Sequence, residues 1–294
     1  MRISVCSSMH QRSSEESFRT LIEAILALSS EHHVEIEQRL YSFLLSSGYN
    51  LGGTSMLVPK GVIDTDVLLS IGGDGTFLRT SKLIAGTKAG IVGINSGHLG
   101  FLASLQPEDF PAFWAEYEAG QGTTEERQMV ECFVVKEDGS EVSRGWALNE
   151  VAVSKRDTAS MISVATYVNG ELISNTDGDG LLISTPTGST AYALSVNGPV
   201  IQPQSPVLLI SYISPHTLNM RPIVLPNNVE IELHIESRSG SFLLAMDGKS
   251  TPESVGTIIR IRRAQKHVKV LHPSSYSFYQ TLRKKLMWGQ DPRL

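Results

Sequence analysis

The residues with the clearest capacity for chemistry are Gly72-Gly73-Asp74-Gly75-Thr76, which follow the apolar run 67–71 and precede a helix expected to begin near Phe77. Strand, glycine turn and helix start converge there. Glycines at 72, 73 and 75 leave backbone N–H groups unshielded, and with a helix N-terminus they form a concavity suited to phosphate oxygens. A tight turn explains the same residues without a ligand. GxxxxGK[ST] occurs nowhere in the chain, and the turn is not the GxGxxG dinucleotide fingerprint, so neither of those mechanisms applies. Asp74 is the carboxylate of the turn. Beside a phosphate it would either hold magnesium or take a proton from an attacking hydroxyl, and residue chemistry leaves both open.

Further polar constellations lie downstream. Asn149-Glu150 follows the apolar Trp146-Ala147-Leu148, which suits a polar pair at a strand end, or else a turn between strands. Thr190, Ala191, Tyr192 and Ser195 open a short expected helix behind Gly188, where hydroxyls and free N–H groups meet. Tyr192 also reads as half-buried packing. Asp177 and Asp179 flank Gly178, and the bland alternative for Asp179-Gly180 is another turn. His98, His216 and Asp247 read as structural, and Cys6 and Cys132 as small buried apolar residues with no disulfide or zinc spacing.

The elements that must position these groups divide the chain. Residues 3–6, 67–71 and 90–94 read as strands, and 15–28, 77–84 and 107–119 as helices, so the first third is a βαβ-type α/β domain. From about 124 to 270, short apolar segments alternate with Asp138-Gly139, Asn169-Gly170 and Asp247-Gly248, the signature of an antiparallel all-β domain. Among these are expected strands at 131–136, 147–154, 163–168, 181–185, 207–213, 229–235, 241–246, 257–262 and 268–271. Helical spacing returns at 276–288. The expected domains are 1–123, 124–271 and a terminal helix, 272–294, packing on the first. A formal charge of −5 does not suggest a general polyanion binder, so no nucleic-acid partner is expected. With no apolar run of spanning length and no signal-peptide pattern, we expect a cytoplasmic protein without a membrane partner.

GGDGT occurs in a superfamily that includes NAD kinases, diacylglycerol-type lipid kinases and phosphofructokinases. The order of Gly93-Ile-Asn-Ser-Gly-His-Leu-Gly-Phe-Leu102, Asn149-Glu150, Gly178-Asp179-Gly180, Ser184-Thr-Pro-Thr-Gly-Ser-Thr-Ala-Tyr192, Ser214-Pro-His-Thr-Leu218 and Arg221-Pro222 resembles the bacterial type of NAD kinase along nearly the whole chain. The resemblance implies a Rossmann-like, phosphofructokinase-like α/β domain, a C-terminal antiparallel β-sandwich, and a site shared by the two. It implies that Asp74 is the base that deprotonates the adenosine 2′-hydroxyl of NAD, which attacks the γ-phosphate of ATP carried with Mg²⁺. No metal is expected on protein ligands directly. By motif position Gly73, Gly75 and Phe101 join the site, and Arg79 either offers charge to a phosphate or is a solvated helix residue. Asn149, Glu150, Asp179, Thr187, Thr190, Ala191, Tyr192 and Ser195 carry the nucleotide in the second domain. Asp177 stands where many bacterial relatives have arginine, which removes a positive charge and leaves its role open to a sugar hydroxyl, an amide or a turn. A homodimer or homotetramer is expected, because a neighbouring β-domain completes the site in the family. The alternatives are a lipid kinase, which usually lacks TPTGSTAY, and a non-catalytic NAD(P)-binding regulator.

Overall fold

The computed structural model describes residues 1–8, 15–97, 100–136, 138–157 and 160–289. Contacts divide the chain into two compact units, Met1–Glu126 with Val268–Leu294, and Arg127–His267.

The first unit contains β1 (Arg2–Ser7), α1 (Glu15–Ala27), β2 (His33–Glu37), α2 (Gln38–Ser46), β3 (Thr54–Leu57), β4 (Val67–Gly72), α3 (Asp74–Ser81), β5 (Gly90–Asn95) and α4 (Phe110–Glu118). Its strands are all parallel, in the order β3-β2-β1-β4-β5. Every residue of β4 and β5 is buried, as expected for strands covered on both faces. The core joins Ile3, Val5, Val34, Ile36, Val67 and Ile71 from the sheet to Phe18, Leu21, Leu40 and Trp114 from the helices. The strand order reverses between β1 and β4, whose last pairing is Ser7 with Ile71. Open parallel sheets bind ligands outside the carboxyl ends of strands at such a switch point. The glycine turn emerges there.

Two features of this unit depart from the sequence pattern. The spacing places the helix start near Phe77, whereas α3 begins at Asp74 because Gly73, at φ −97° and ψ −173°, is its N-cap. The N–H groups of Thr76 and Phe77 both close on the Gly73 carbonyl. No element is expected between residues 29 and 60, yet β2, α2 and β3 form there. In β2 only Val34 and Ile36 are buried, too short an alternation to stand out.

The second unit is built from β6 (Thr123–Val135), β7 (Glu141–Ala147), β8 (Glu150–Lys155), β9 (Ile162–Val168), β10 (Glu171–Gly178), β11 (Gly180–Ser184), α5 (Tyr192–Ser195), β12 (Val207–Ile213), β13 (Ile223–Pro226), β14 (Glu230–Ser237), β15 (Ser241–Met246), β16 (Lys249–Ser254) and β17 (Ile258–His272). The first residues of β6 and the last of β17 belong to the first unit, where Lys269 and Val270 pair in parallel with β5. α6 (Phe278–Leu286) belongs there too. Antiparallel pairing gives one run, β10-β9-β14-β17, and a second sheet, β13-β12-β11-β8-β15-β16. Their facing side chains, among them Val153, Val164, Ile183, Ile210, Leu233, Phe242 and Ile259, make one core. This is a β-sandwich. Asn169-Gly170 joins β9 to β10 and Asp247-Gly248 joins β15 to β16, each with both residues at positive φ, the backbone of a type I′ hairpin turn. The two expected strands 257–262 and 268–271 are one strand, Ile258–His272, whose buried positions change phase from Ile259 and Ile261 to Ala264, Val268 and Val270.

Candidate active site

In the first unit, the three glycines of the turn answer to different demands. Gly72 has φ +155°, and an added Cβ would lie 2.4 Å from Thr76 Oγ1, so the fold itself requires glycine. Among the described residues, no atom lies within 4 Å of such a Cβ on Gly73 or Gly75, and neither is left-handed. Gly75 also sits inside α3, where glycine costs roughly 0.5–1 kcal/mol relative to alanine. Neither the backbone nor its neighbours call for glycine at these two positions. What they leave is open space on both sides of Asp74.

The Asp74 carboxylate is clasped by the backbone. Phe101 N–H donates to Oδ2 at 3.0 Å, and the N–H groups of Leu102 and Ala103 donate to Oδ1 at 3.0 Å each. A carboxylate has about four acceptor positions, so the one left open is on Oδ2. Gly100 makes the seat possible, since a Cβ there would fall 2.0 Å from Asp74 Oδ1. Phe101 is thus tied to Asp74 through its main chain. Arg79 is half-exposed and ion-paired: Nη1 meets Glu37 Oε1 at 3.0 Å and Nη2 donates to the Ser7 carbonyl at 3.1 Å. It braces the ends of β1 and β2 rather than standing as a solvated helix residue. His98 lies outside the described residues.

In the second unit, Asn149 and Glu150 are buried at the start of β8. Thr185 N–H donates to the Asn149 carbonyl at 2.8 Å, and Thr185 Oγ1 donates to the Leu148 carbonyl at 2.5 Å. Gly188 packs so closely that a Cβ would fall 2.2 Å from the Asn149 carbonyl oxygen. Buried Arg127 reaches Thr187 Oγ1 at 3.4 Å, and Thr190 Oγ1 donates to the Thr187 carbonyl at 3.3 Å. The backbone N–H of Tyr192 lies on the side of the Glu150 carboxylate and favours its charged form. The expected residues of the NE and TPTGSTAY segments therefore meet, with Ala191 and half-exposed Tyr192 at the start of α5 and Ser195 exposed at its end. Two acceptors in this cluster, Asn149 Oδ1 and Glu150 Oε2, are buried with no hydrogen-bond partner among the described residues. Buried polar atoms rarely go unpaired, so a ligand bearing donors is the natural complement. Burial, reinforced by the charge of Asp247, pushes the Glu150 carboxyl up to about 7.

Asp177 and Asp179 do not join this cluster within one chain. They flank the β10–β11 junction, beside Ser154 and Lys155, whereas Glu150 pairs with Ser184 at the other end of β11. Four residue steps separate the two ends, about 14 Å along the strand. Asp179 ion-pairs with Lys155 Nζ at 2.6 Å, and exposed Asp177 accepts the His216 N–H on its main-chain carbonyl at 2.8 Å. The glycines around Asp179 answer to packing, for a Cβ on Gly180 would fall 2.2 Å from the Val153 carbonyl. A separate cavity of about 540 Å³, lined by Ser163, Asn175, His234 and Thr257, holds none of the motif residues and no buried unpartnered acceptor among the described residues. Cys6 and Cys132 are free and fully buried, and burial pushes each thiol up to about 12. They are inert core residues.

Sequence reasoning leaves Gly100 and Asp247 outside the site. Asp247 turns out to bond the main chain of residues 148–150. Gly100 had a faint signal in its place just ahead of Phe101. Asp247 stands out in the sequence as a motif-borne residue, but its turn is 97 to 99 residues from its partners, so sequence spacing gives no sign of that contact.

A doubly wound sheet with a carboxylate-bearing glycine turn at its switch point, and a β-sandwich with an unpaired acceptor pair, define a two-domain nucleotide-binding enzyme. The ATP-NAD kinase N-terminal domain model matches residues 54–121, and the ATP-NAD kinase C-terminal domain model matches residues 148–273. The chain is 45% identical over 231 residues to an NAD kinase of Bacteroides fragilis, covering 79% of each protein, and 33% identical to an NAD kinase of Flavobacterium psychrophilum over 100% of both. Among solved structures, yeast NADH kinase complexed with NADH superposes with a TM-score of 0.89 at 22% identity, over 100% of this chain and 89% of that one. An Archaeoglobus fulgidus NAD kinase in complex with ATP gives 0.72 at 26% identity, over 98% and 99%. The chain belongs to the NAD kinase family, and it is an ATP-dependent kinase.

Proposed function

We propose that this chain transfers the γ-phosphate of ATP to the adenosine 2′-hydroxyl of NAD, forming NADP. The observation that carries the reading is the pair of glycines, Gly73 and Gly75, that the fold does not need, on either side of a carboxylate held by three N–H donors. A ribose hydroxyl and a phosphate approach closely where no Cβ intervenes. Asp74 accepts the 2′-hydroxyl proton on the open position of Oδ2 as the oxygen attacks phosphorus and the γ-phosphate leaves ADP. Mg²⁺ arrives as the complex with ATP, held by phosphate oxygens. This suits a turn that offers one carboxylate whose oxygens already carry backbone donors. Rate enhancement then comes chiefly from positioning and metal charge. Asn149 Oδ1 and Glu150 Oε2 accept hydroxyl or amide hydrogens of the dinucleotide, and Thr187, Thr190, Ala191, Tyr192 and Ser195 supply hydroxyls, N–H groups and a ring beside them.

The distance of Asp177 and Asp179 from this cluster supports a homo-oligomer in which they serve a neighbouring copy's nucleotide. The free, buried cysteines suit a reducing cytoplasm. Incubation with NAD, ATP and Mg²⁺ should yield NADP. Wild-type protein that binds NAD yet forms none would refute the kinase reading, and an Asp74→Asn variant at full rate would refute the base.

A further inference from the structure

The β15–β16 turn carries a side chain that the turn does not need. At φ +48° followed by Gly248 at φ +78°, position 247 is served by Asn, Asp or Gly alike, and formation of the hairpin makes no demand on the carboxylate. That carboxylate instead faces the entry of β8. Asn149 N–H donates to Oδ1 at 2.8 Å, Glu150 N–H to Oδ1 at 3.4 Å and Leu148 N–H to Oδ2 at 3.0 Å. The Asp247 N–H returns a bond to the Glu150 carbonyl at 3.2 Å. The carbonyls of Leu148 and Asn149 are taken on the other side by Thr185. The backbone of 148–150 is thereby held through its donors by one turn and through its acceptors by another. The side chains it carries present Asn149 Oδ1 and Glu150 Oε2 with no partner among the described residues.

We infer that Asp247 is a positioning residue for NAD: by clasping the three N–H groups of residues 148–150 it aims Asn149 and Glu150 at the dinucleotide without touching it. The inference rests on the proposed role of Asn149 and Glu150 as nucleotide ligands. It repeats in the second unit the device that seats Asp74, a carboxylate bound by three consecutive N–H donors. Here the roles are reversed, since at Asp247 the carboxylate serves the segment it binds.

The discriminating variants are Asp247→Asn and Asp247→Gly. Both suit a type I′ turn, while the first loses the charge and turns an N–H₂ toward an N–H, and the second removes the clasp altogether. We expect the KM for NAD to rise about ten- to a hundred-fold, the cost of an ångström-scale misplacement, more for Gly than for Asn. The KM for ATP should stay within about twofold and kcat should change least. In an Asn149→Ala, Glu150→Gln background the same substitutions should have little left to change. An NAD KM within twofold of wild type in both variants overturns the inference, as does a rise of the same size in the background lacking both ligands. Wild-type enzyme that makes no NADP from NAD would instead sink the kinase reading, so the two failures are separable.

Discussion

Replacing Glu150 by glutamine separates what this side chain costs the fold from what it contributes to the site. Glu150 is 8% exposed, and burial together with the Asp247 charge raises its carboxyl from 4.5 to about 7. At about 1.4 kcal/mol per pH unit, that rise is a penalty of about 3 kcal/mol on the folded state. The folded protein keeps this proton to higher pH than the unfolded chain does. The penalty is therefore absent below about pH 4.5, grows between there and pH 7, and is complete above. Glutamine is neutral throughout and keeps an acceptor oxygen in the same place. Glu150→Gln should match wild type in urea unfolding at pH 4.5 and exceed it by about 3 kcal/mol at pH 8. Its KM for NAD should rise about tenfold, because a hydrogen bond to a charged acceptor contributes about 1.5–3 kcal/mol. Wild-type affinity for NAD should in turn improve as pH rises through 7 and the carboxylate forms. A stability difference of the same size at both pH values would refute the buried-carboxyl account, and an unchanged KM would refute the ligand role.

Gly75→Ala puts a methyl into open space inside α3, so it should leave stability unchanged or raise it by about 0.5–1 kcal/mol in thermal unfolding while lowering NADP formation at least tenfold. Full activity in that variant would remove the close-approach argument for this glycine. Gly100→Ala drives a Cβ against Asp74 Oδ1 at 2.0 Å and should unseat the carboxylate. We expect about a hundredfold loss of kcat with the fold retained by circular dichroism, since an ångström of misplacement is enough for that loss. Thiol titration of native protein near pH 7.5 should detect neither Cys6 nor Cys132 until denaturant is added; prompt reaction of either would contradict its burial.

The glycine turn was legible because everything that makes it is local: six buried residues of β4, three glycines and a helix start within one stretch of chain. The same holds for the type I′ turns at Asn169-Gly170 and Asp247-Gly248, where residue type alone predicts the backbone. Elements whose stability comes from partners were harder to read. β10, Glu171–Gly178, is largely polar and exists by pairing with β9, while β16 carries Pro252 and survives as the edge strand of its sheet. β2 and β3 are short strands completing a parallel sheet whose pairings join distant segments.

The site divides along the same line. Which residues are chemically capable was visible in the types at 74, 149 and 150, but which atoms remain free was not. Asp74 looks like an unencumbered base in sequence, and only the bonds from Phe101, Leu102 and Ala103 reduce it to a single open position on Oδ2. Glu150 looks like one more ionised carboxylate, and it is burial, reinforced by the charge of Asp247 from a turn almost a hundred residues away, that raises its carboxyl to about 7. In both cases the N–H groups of three consecutive residues meet one carboxylate. A short peptide segment offers that arrangement only when its backbone is bent and held from outside. The chemistry at Asp74 and Glu150 is thus set less by their own side chains than by segments that pairing and close glycine packing keep in place.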